Sequence, residues 1–350
     1  MDLLIKSYKE QLHKSEERKF EDDFSRHKLH DTLVQACVSA FLTTDGIASR
    51  VAGYRFVTVE PLCELGVKNF DLLVMNEDQG LGIFVECKSS LSNPSTEVEE
   101  VIDKISVLEE HQSYLEVQIG ARIDLKEYAI CVPSDLQVEV ATEIEKRKRS
   151  SDPQVDDPFV TWGFHMFDNT ILKLFTKPST TKEERPVYHR NADLTKAMSQ
   201  GITVDTEVVT AVLPSSHPLE QAMSVVAWLL ADNERLARDL RRFKKSKVLE
   251  FFGDSRNVPH YARETLSQEL GQRFMREGVM RGLLREYADD PNVLEFAVEG
   301  KSVSTIVRNY KLGFKSSVVH ESATRLAKRR AWEEYHSKQP SIFDFENSNQ

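Results

Sequence analysis

Residues 69–90 read NFDLLVMNEDQGLGIFVECKSS. Two apolar runs flank a polar, glycine-containing stretch at Asn76–Gly82, the pattern of a hairpin whose strands lie in a core. Asp71 opens the first run, and Glu86 and Lys88 close the second. Charged groups are seldom buried without partners, so three of them in adjoining core strands need a joint explanation. Alternate residues of a strand share a face, so Glu86 and Lys88 project together while Val85 and Cys87 take the opposite side. Pairing of the two runs through the turn brings Asp71 near Glu86. Two carboxylates beside an ammonium make a hard-oxygen site for Mg²⁺ or Mn²⁺. Phosphodiester hydrolysis uses such a site, with the metal neutralising phosphate charge and activating water. A lysine two residues on can position that water or stabilise the charge developing on phosphorus. A bare Glu-x-Lys is more often a surface ion pair on an edge strand, with Asp71 capping its own strand. The elements around it are what favour the site.

Outward from the hairpin, Leu29, Leu33, Ala36, Cys37, Ala40 and Phe41 fall at helical spacing and predict a helix over 26–42. Tyr54–Val59 reads as a strand. After the Asn93–Pro94 break, an acidic helix is expected over 96–116, with Val98, Val101, Ile105 and Leu108 on one face. A buried strand over 128–133, a helix over 135–149 and one or two strands within 159–175 follow. This order predicts an α/β fold, a mixed central sheet flanked by helices, followed by a mainly helical C-terminal domain. The expected domains are 1–175, a connector at 176–217 with one strand-like run (ITVDTEVVTAVL), a helical domain at 218–335 and a loose tail at 336–350. Within the helical domain, one helix is expected from Pro218 to about Lys245 and another over roughly 260–287.

The pattern FD, 14 residues, ECK resembles the signature of the PD-(D/E)XK nuclease superfamily, the restriction-endonuclease-like fold. VECKSS is similar to the corresponding strand of archaeal Holliday-junction resolvases and of nucleases attached to larger DNA-processing proteins. The resemblance covers residues 20–175, and Phe70 stands where the signature has proline, a position without chemistry. It implies Asp71 and Glu86 as metal ligands, the Cys87 carbonyl as a further ligand and Lys88 as the catalytic lysine. Many members add an acidic residue or a histidine from the preceding helix. Here the candidates are Asp31 and His30. Asp31 is preferred because it lies about 100° around the helix from His30 and off the Leu29/Leu33 stripe. Glu60 and Glu64 are further candidates. Gln112 and Tyr114 resemble a pair that some members place near DNA, but their spacing differs.

Charge is unevenly spread. The whole chain carries −10, yet residues 233–330 hold 21 Lys and Arg against 13 Asp and Glu. Such asymmetry suits a nucleic-acid-facing module, although a solvated helical surface gives the same count. Within 300–331, Ser302 can cap a short helix, Lys311–Gly313 can turn, and Ser316 or Ser317 can cap a longer basic helix, a pattern resembling a helix-turn-helix. Lys315, Ser316, Ser317, His320 and Arg325 would then face a groove, with Lys328, Arg329 and Arg330 nearer phosphates.

Cys37, Cys63, Cys87 and Cys131 are widely separated and lack zinc spacing, so they are expected in a reduced core. No apolar run approaches the ~20 residues that span a bilayer. The charge-interrupted N-terminus is unlike a secretory signal, and a cytoplasmic protein is expected. The functional expectation is a metal-dependent endonuclease acting on nucleic acid, with DNA favoured, in restriction, defence, mobile-element or repair. A homodimer or larger assembly is compatible. The alternatives are a non-catalytic DNA-binding or regulatory protein on the same scaffold, and a ligand-activated RNA-cleaving effector.

Overall fold

The computed structural model describes residues 2–42, 47–149, 158–167, 171–176, 189–205, 211–236 and 238–337. The described elements begin with α1 (Asp2–Ala40), α2 (Ile47–Ala52), β1 (Arg55–Val59), β2 (Leu72–Asn76) and β3 (Leu81–Cys87). Next come α3 (Pro94–Ile119), β4 (Leu125–Pro133), α4 (Gln137–Arg149), β5 (Phe159–Met166) and β6 (Ile171–Phe175). These are followed by α5 (Ala192–Gln200), β7 (Ile202–Asp205), α6 (Pro218–Arg235), β8 (Arg242–Lys244) and α7 (Lys245–Gly253). The last are α8 (Arg263–Met280), β9 (Leu284–Tyr287), β10 (Asp290–Phe296) and α9 (Val303–Ser337). The fold is α/β, a mixed sheet with flanking helices and a mainly helical C-terminal region.

The chain divides into two compact units. One comprises His27–Ser216 and Leu249–Gly271, the other Met1–Arg26, His217–Val248 and Gln272–Gln350. These cuts differ from boundaries at 175 and 218, because residues 1–26 group with the C-terminal helices and 249–271 with the sheet.

In the sheet unit, seven strands follow one another in sequence order from β1 to β7. β3, β4 and β5 run parallel, and their neighbours on either side are antiparallel. The two parallel steps are crossovers through α3 and α4, as parallel pairing requires. Asn76 caps the turn between β2 and β3 by accepting from Gln79 N–H at 3.2 Å, and Gly80 supplies the left-handed residue at φ +57°. One face of the sheet packs Val74, Val85, Cys87, Ala129, Cys131 and Trp162 against the C-terminal part of α1, α2 and α5. The other packs Leu73, Phe84, Tyr128 and Ile130 against Val98, Val101, Ile105 and Leu108 of α3 and Val140 of α4. Both faces of β3 are therefore covered, which is why it reads as a continuous apolar run.

Cys37, Cys87 and Cys131 are buried free thiols in the first layer, with Cys37 and Cys87 sulfurs 3.8 Å apart. Burial holds the Cys87 and Cys131 thiols well above their usual range. Nearby, the buried Glu127 accepts from His189 Nδ1 at 2.7 Å while His189 Nε2 accepts from Trp162 at 3.0 Å, a network whose members satisfy one another.

The expected connector contributes to this layer. Of its described residues, α5 packs on the sheet and β7 pairs with β6, with Ile202 and Val204 inward and Thr203 and Asp205 exposed. Residues 177–188 and 206–210 of the connector lie outside the described residues, as does the tail from 338 onward.

The helical unit departs from expectation in three places. α6 ends at Arg235 instead of near Lys245, where the Asn233 amide donates to the carbonyls of Asp239 and Arg242 and turns the chain. A small sheet of order β8-β10-β9 occupies segments read as helical or left unassigned. The expected helix-turn-helix at 300–331 is absent: α9 runs unbroken through Lys311–Gly313 and through both proposed capping serines. Gly313 serves close approach, since a Cβ there would lie 2.6 Å from Leu283 Cδ2. Further along α9, Ala323 and Ala327 pack against Leu12.

Candidate active site

β2 and β3 pair in a register that matches Leu72 with Val85, and one step further sets Asp71 opposite Glu86. The Asp71 amide donates to Val85 O at 3.0 Å, and Asp71 Oδ2 accepts from the Cys87 amide at 2.5 Å. The site thus stands where β3 leaves the sheet, at the carboxyl end of a parallel strand, the usual position for a site in such sheets.

Lys88 and Glu86 project to the same side, 3.2 Å apart. α3 closes over them, and Lys104 Nζ lies 2.6 Å from Glu86 Oε2. Lys88 also reaches Glu97 at 2.8 Å and Glu100 at 3.5 Å, both on the first turns of α3. From the other layer, α1 presents His30, with Nε2 3.3 Å from Asp71 Oδ1 and Nδ1 3.5 Å from Asp31 Oδ1. Asp31 is 4% exposed, and its Oδ2 has no hydrogen-bond partner.

These contacts separate the two carboxylates electrostatically. Burial alone would raise both. At Asp71 the His30 charge and hydrogen bond, the Lys104 charge and the Cys87 amide overcome burial and hold the carboxyl below its ordinary range. At Glu86, burial and the Asp71 charge outweigh Lys104 and Lys88, so its pKa rises. Burial opposes protonation of His30, but Asp71 and Asp31 prevail and lift it to about 10. Lys88 is half-buried, which opposes its charge, but Glu86 and Glu97 raise it above the usual lysine value.

A divalent cation fits this donor set chemically. Mg²⁺ takes one or two carboxylates and completes its shell with water and substrate phosphate, so a pair such as Asp71 and Glu86 suffices. The orphaned Asp31 oxygen is a further carboxylate oxygen on the neighbouring helix, on the far side of His30 from Asp71. Among the described residues, no group of three or more His, Cys, Asp and Glu forms a ready-made metal cage. The Cys87 thiol lies in the opposite core layer, which leaves its carbonyl as the only donor Cys87 could offer.

Lys104 and Glu97 were not singled out from the sequence. The available signal was a lysine beside the Val101/Ile105/Leu108 stripe of an acidic helix. Glu60 and Glu64 belong to a neighbouring cluster. Glu60 accepts from the Ser215 amide at 3.1 Å and from the Ser215 hydroxyl, and its own amide donates to Asp71 O. Glu64 accepts from Tyr261 at 2.7 Å and Tyr114 at 3.2 Å. Cys63 lies 3.3 Å from His260 Nε2, but His260 Nδ1 accepts from the Ala262 amide, so Nε2 carries the proton and cannot act as a base. Gln112 is occupied with Glu116 and the Ile123 carbonyl.

The proposed nucleic-acid contacts on α9 fall in the helical unit. Lys315 is taken up by Glu17 and Glu21 at 2.7 and 2.6 Å. Ser317 accepts from Arg281 at 3.4 Å, Arg329 pairs with Glu333, and Arg325 and Arg330 are exposed.

No protein-family model matches the chain, and no solved structure does. An uncharacterized protein of Archaeoglobus fulgidus is 21% identical over 340 residues, covering 88% of this chain and 86% of that one. Among the described residues, no helix is long and apolar enough to cross a membrane.

Proposed function

We propose that the chain is a metal-dependent endonuclease of the PD-(D/E)XK kind that hydrolyses phosphodiester bonds, with DNA the favoured substrate. The observation that carries this reading is the meeting of Asp71, Glu86 and Lys88 at the end of β3. Asp71 and Glu86 would hold Mg²⁺ or Mn²⁺, with Asp31 and the Cys87 carbonyl as further donors. When bound, the ion supplies Lewis acidity toward the phosphate and lowers the pKa of a coordinated water. His30 and the Cys87 amide fix the two oxygens of Asp71, and Lys104 orients Glu86 through Oε2. Lys88, at Oε1 of the same carboxylate, is placed to orient the attacking water and to offset charge on phosphorus.

A panel of linear, branched and single-stranded DNA and of RNA, with Mg²⁺, Mn²⁺ or EDTA, tests the reading. Cleavage is expected with either metal and not in EDTA. Asp71→Asn and Lys88→Met should each lower the single-turnover rate by ~10²-fold or more. Equal cleavage in EDTA, or full activity of Asp71→Asn, would sink the mechanism. Cleavage of RNA alone would select the effector alternative. The non-catalytic alternative draws support from the engagement of Lys88 by Glu97 and Glu100, and predicts nucleic-acid binding with no turnover in any metal.

A further inference from the structure

A cleft of about 790 Å³ lies in the helical unit, bounded by Arg281 and Leu283 after α8 and by a stripe of α9. Gly313, Ser317, His320, Thr324 and Lys328 are spaced at three or four residues and share that stripe. Small and hydroxyl-bearing side chains keep the wall open.

The charge of the lining is one-sided. Arg281, Arg325 and Lys328 are basic side chains, against the carboxylate of Glu321, which is itself largely exposed. Lys9 adds a further charge, its Nζ 3.0 Å from His320 Nε2. The neighbouring cavity of about 850 Å³ differs in kind, setting four carboxylates against three cations.

The wall also holds unmet hydrogen-bonding capacity. Arg281 is only 15% exposed, and its guanidinium lies 4.8 Å from the Phe314 ring centroid. Its contacts are long: 3.4 Å to Ser317 Oγ and to Glu321, and 3.8 Å to Glu277. Its Nε has no partner, and neither has the buried Thr324 Oγ1. Polar atoms left unpaired in a protein interior are costly, and two of them belong to side chains that line one basic cleft, which points to a ligand that draws on them. A phosphate group matches, because its oxygens accept from a guanidinium fork, a hydroxyl and ammonium groups together.

We propose that this cleft binds a phosphate-bearing small molecule of nucleotide size. The volume falls in the range of about 300–1,000 Å³ typical of small-ligand pockets. None of the lining residues is Phe, Tyr or Trp, so recognition rests on the phosphates and not on stacking. This inference is independent of the nuclease reading, since its readout is binding.

The test is isothermal titration of the full chain with ADP, with inorganic pyrophosphate and with a short DNA duplex. ADP and pyrophosphate should each bind one site and compete for it. Arg325→Ala/Lys328→Ala, at two exposed positions, and Thr324→Val should each weaken both by about tenfold or more. Circular dichroism should be unchanged in the double variant. Nucleotide and inorganic arms distinguish the source of the phosphate, and either one binding in this way supports the pocket. No saturable binding, or binding equal in wild type and double variant, overturns it. Binding of the duplex alone also overturns it, and assigns the face to nucleic acid.

Discussion

Asp71 and Glu86 share their neighbours but not their electrostatic outcome. Asp71 is favoured as the anion by His30 and the Cys87 amide, whereas Glu86 is disfavoured by burial beside Asp71. A depressed acid adds stability above its unfolded pKa, and a raised one subtracts it there. In EDTA near pH 7, Asp71→Asn should therefore lower the free energy of denaturant unfolding and Glu86→Gln should raise it, each by on the order of 1 kcal/mol. Shifts of the same sign in both variants would show that the surroundings do not divide them in this way.

Glu60 gives a clearer pH signature. It is a non-glycine residue at φ +43°, held by the hydrogen bond its amide donates to Asp71 O and by Ser215 at its carboxylate. Burial, only partly offset by Ser215, lifts its carboxyl from 4.5 to about 7. Its contribution to stability is full below about pH 4.5 and falls as the pH rises to about 7. Glu60→Gln should remove about 3 kcal/mol of that decline. Denaturant titrations in EDTA from acid to neutral pH measure it, and parallel curves for the two proteins would refute the assignment.

At the scale of elements, α9 is where local reading and structure part most sharply. Leu312 is exposed in the middle of the helix. In a turn, proline at this position would be tolerated. In a continuous helix it deletes a backbone bond and clashes with the preceding turn, at about 3 kcal/mol or more. Leu312→Pro should therefore cost that much in denaturant unfolding and reduce the helical circular dichroism. A neutral outcome would restore the helix-turn-helix. α3 is the other decisive element, because it carries Lys104 and Glu97 over the end of β3.

At the scale of the molecule, the N-terminal residues are part of the helical unit. Leu12 packs on Ala323 and Ala327, Ser322 donates to Glu16 at 2.6 Å, and Tyr8 donates to Glu334. Leu12→Ala should cost about 2–4 kcal/mol. Hydrogen exchange should show α9 amides losing protection while those of the central sheet keep theirs. Uniform loss across both units would mean that they unfold together.

The hairpin and its charged triad were legible in residues 69–90 because two-residue alternation and a turn are local, and together they set the register that puts Asp71 opposite Glu86. The α/β order followed from the same local periodicities. Lys104 was not legible, because which turn of α3 lies over the strand end depends on how the crossover packs. His30 and Asp31 were both candidates on sequence, and only the rotation of α1 shows that His30 is the one touching Asp71. Gly313 could be a turn or a close approach, and Leu283, thirty residues earlier, makes it the latter. β8, β9 and β10 are three to seven residues long; β8 joins β10 across some fifty residues, and β9 and β10 form a short hairpin with an irregular register, too brief to leave a period. Contacts between neighbours in sequence leave a period that can be read. Contacts between distant segments leave none, because many chains of the same composition could bring different residues together.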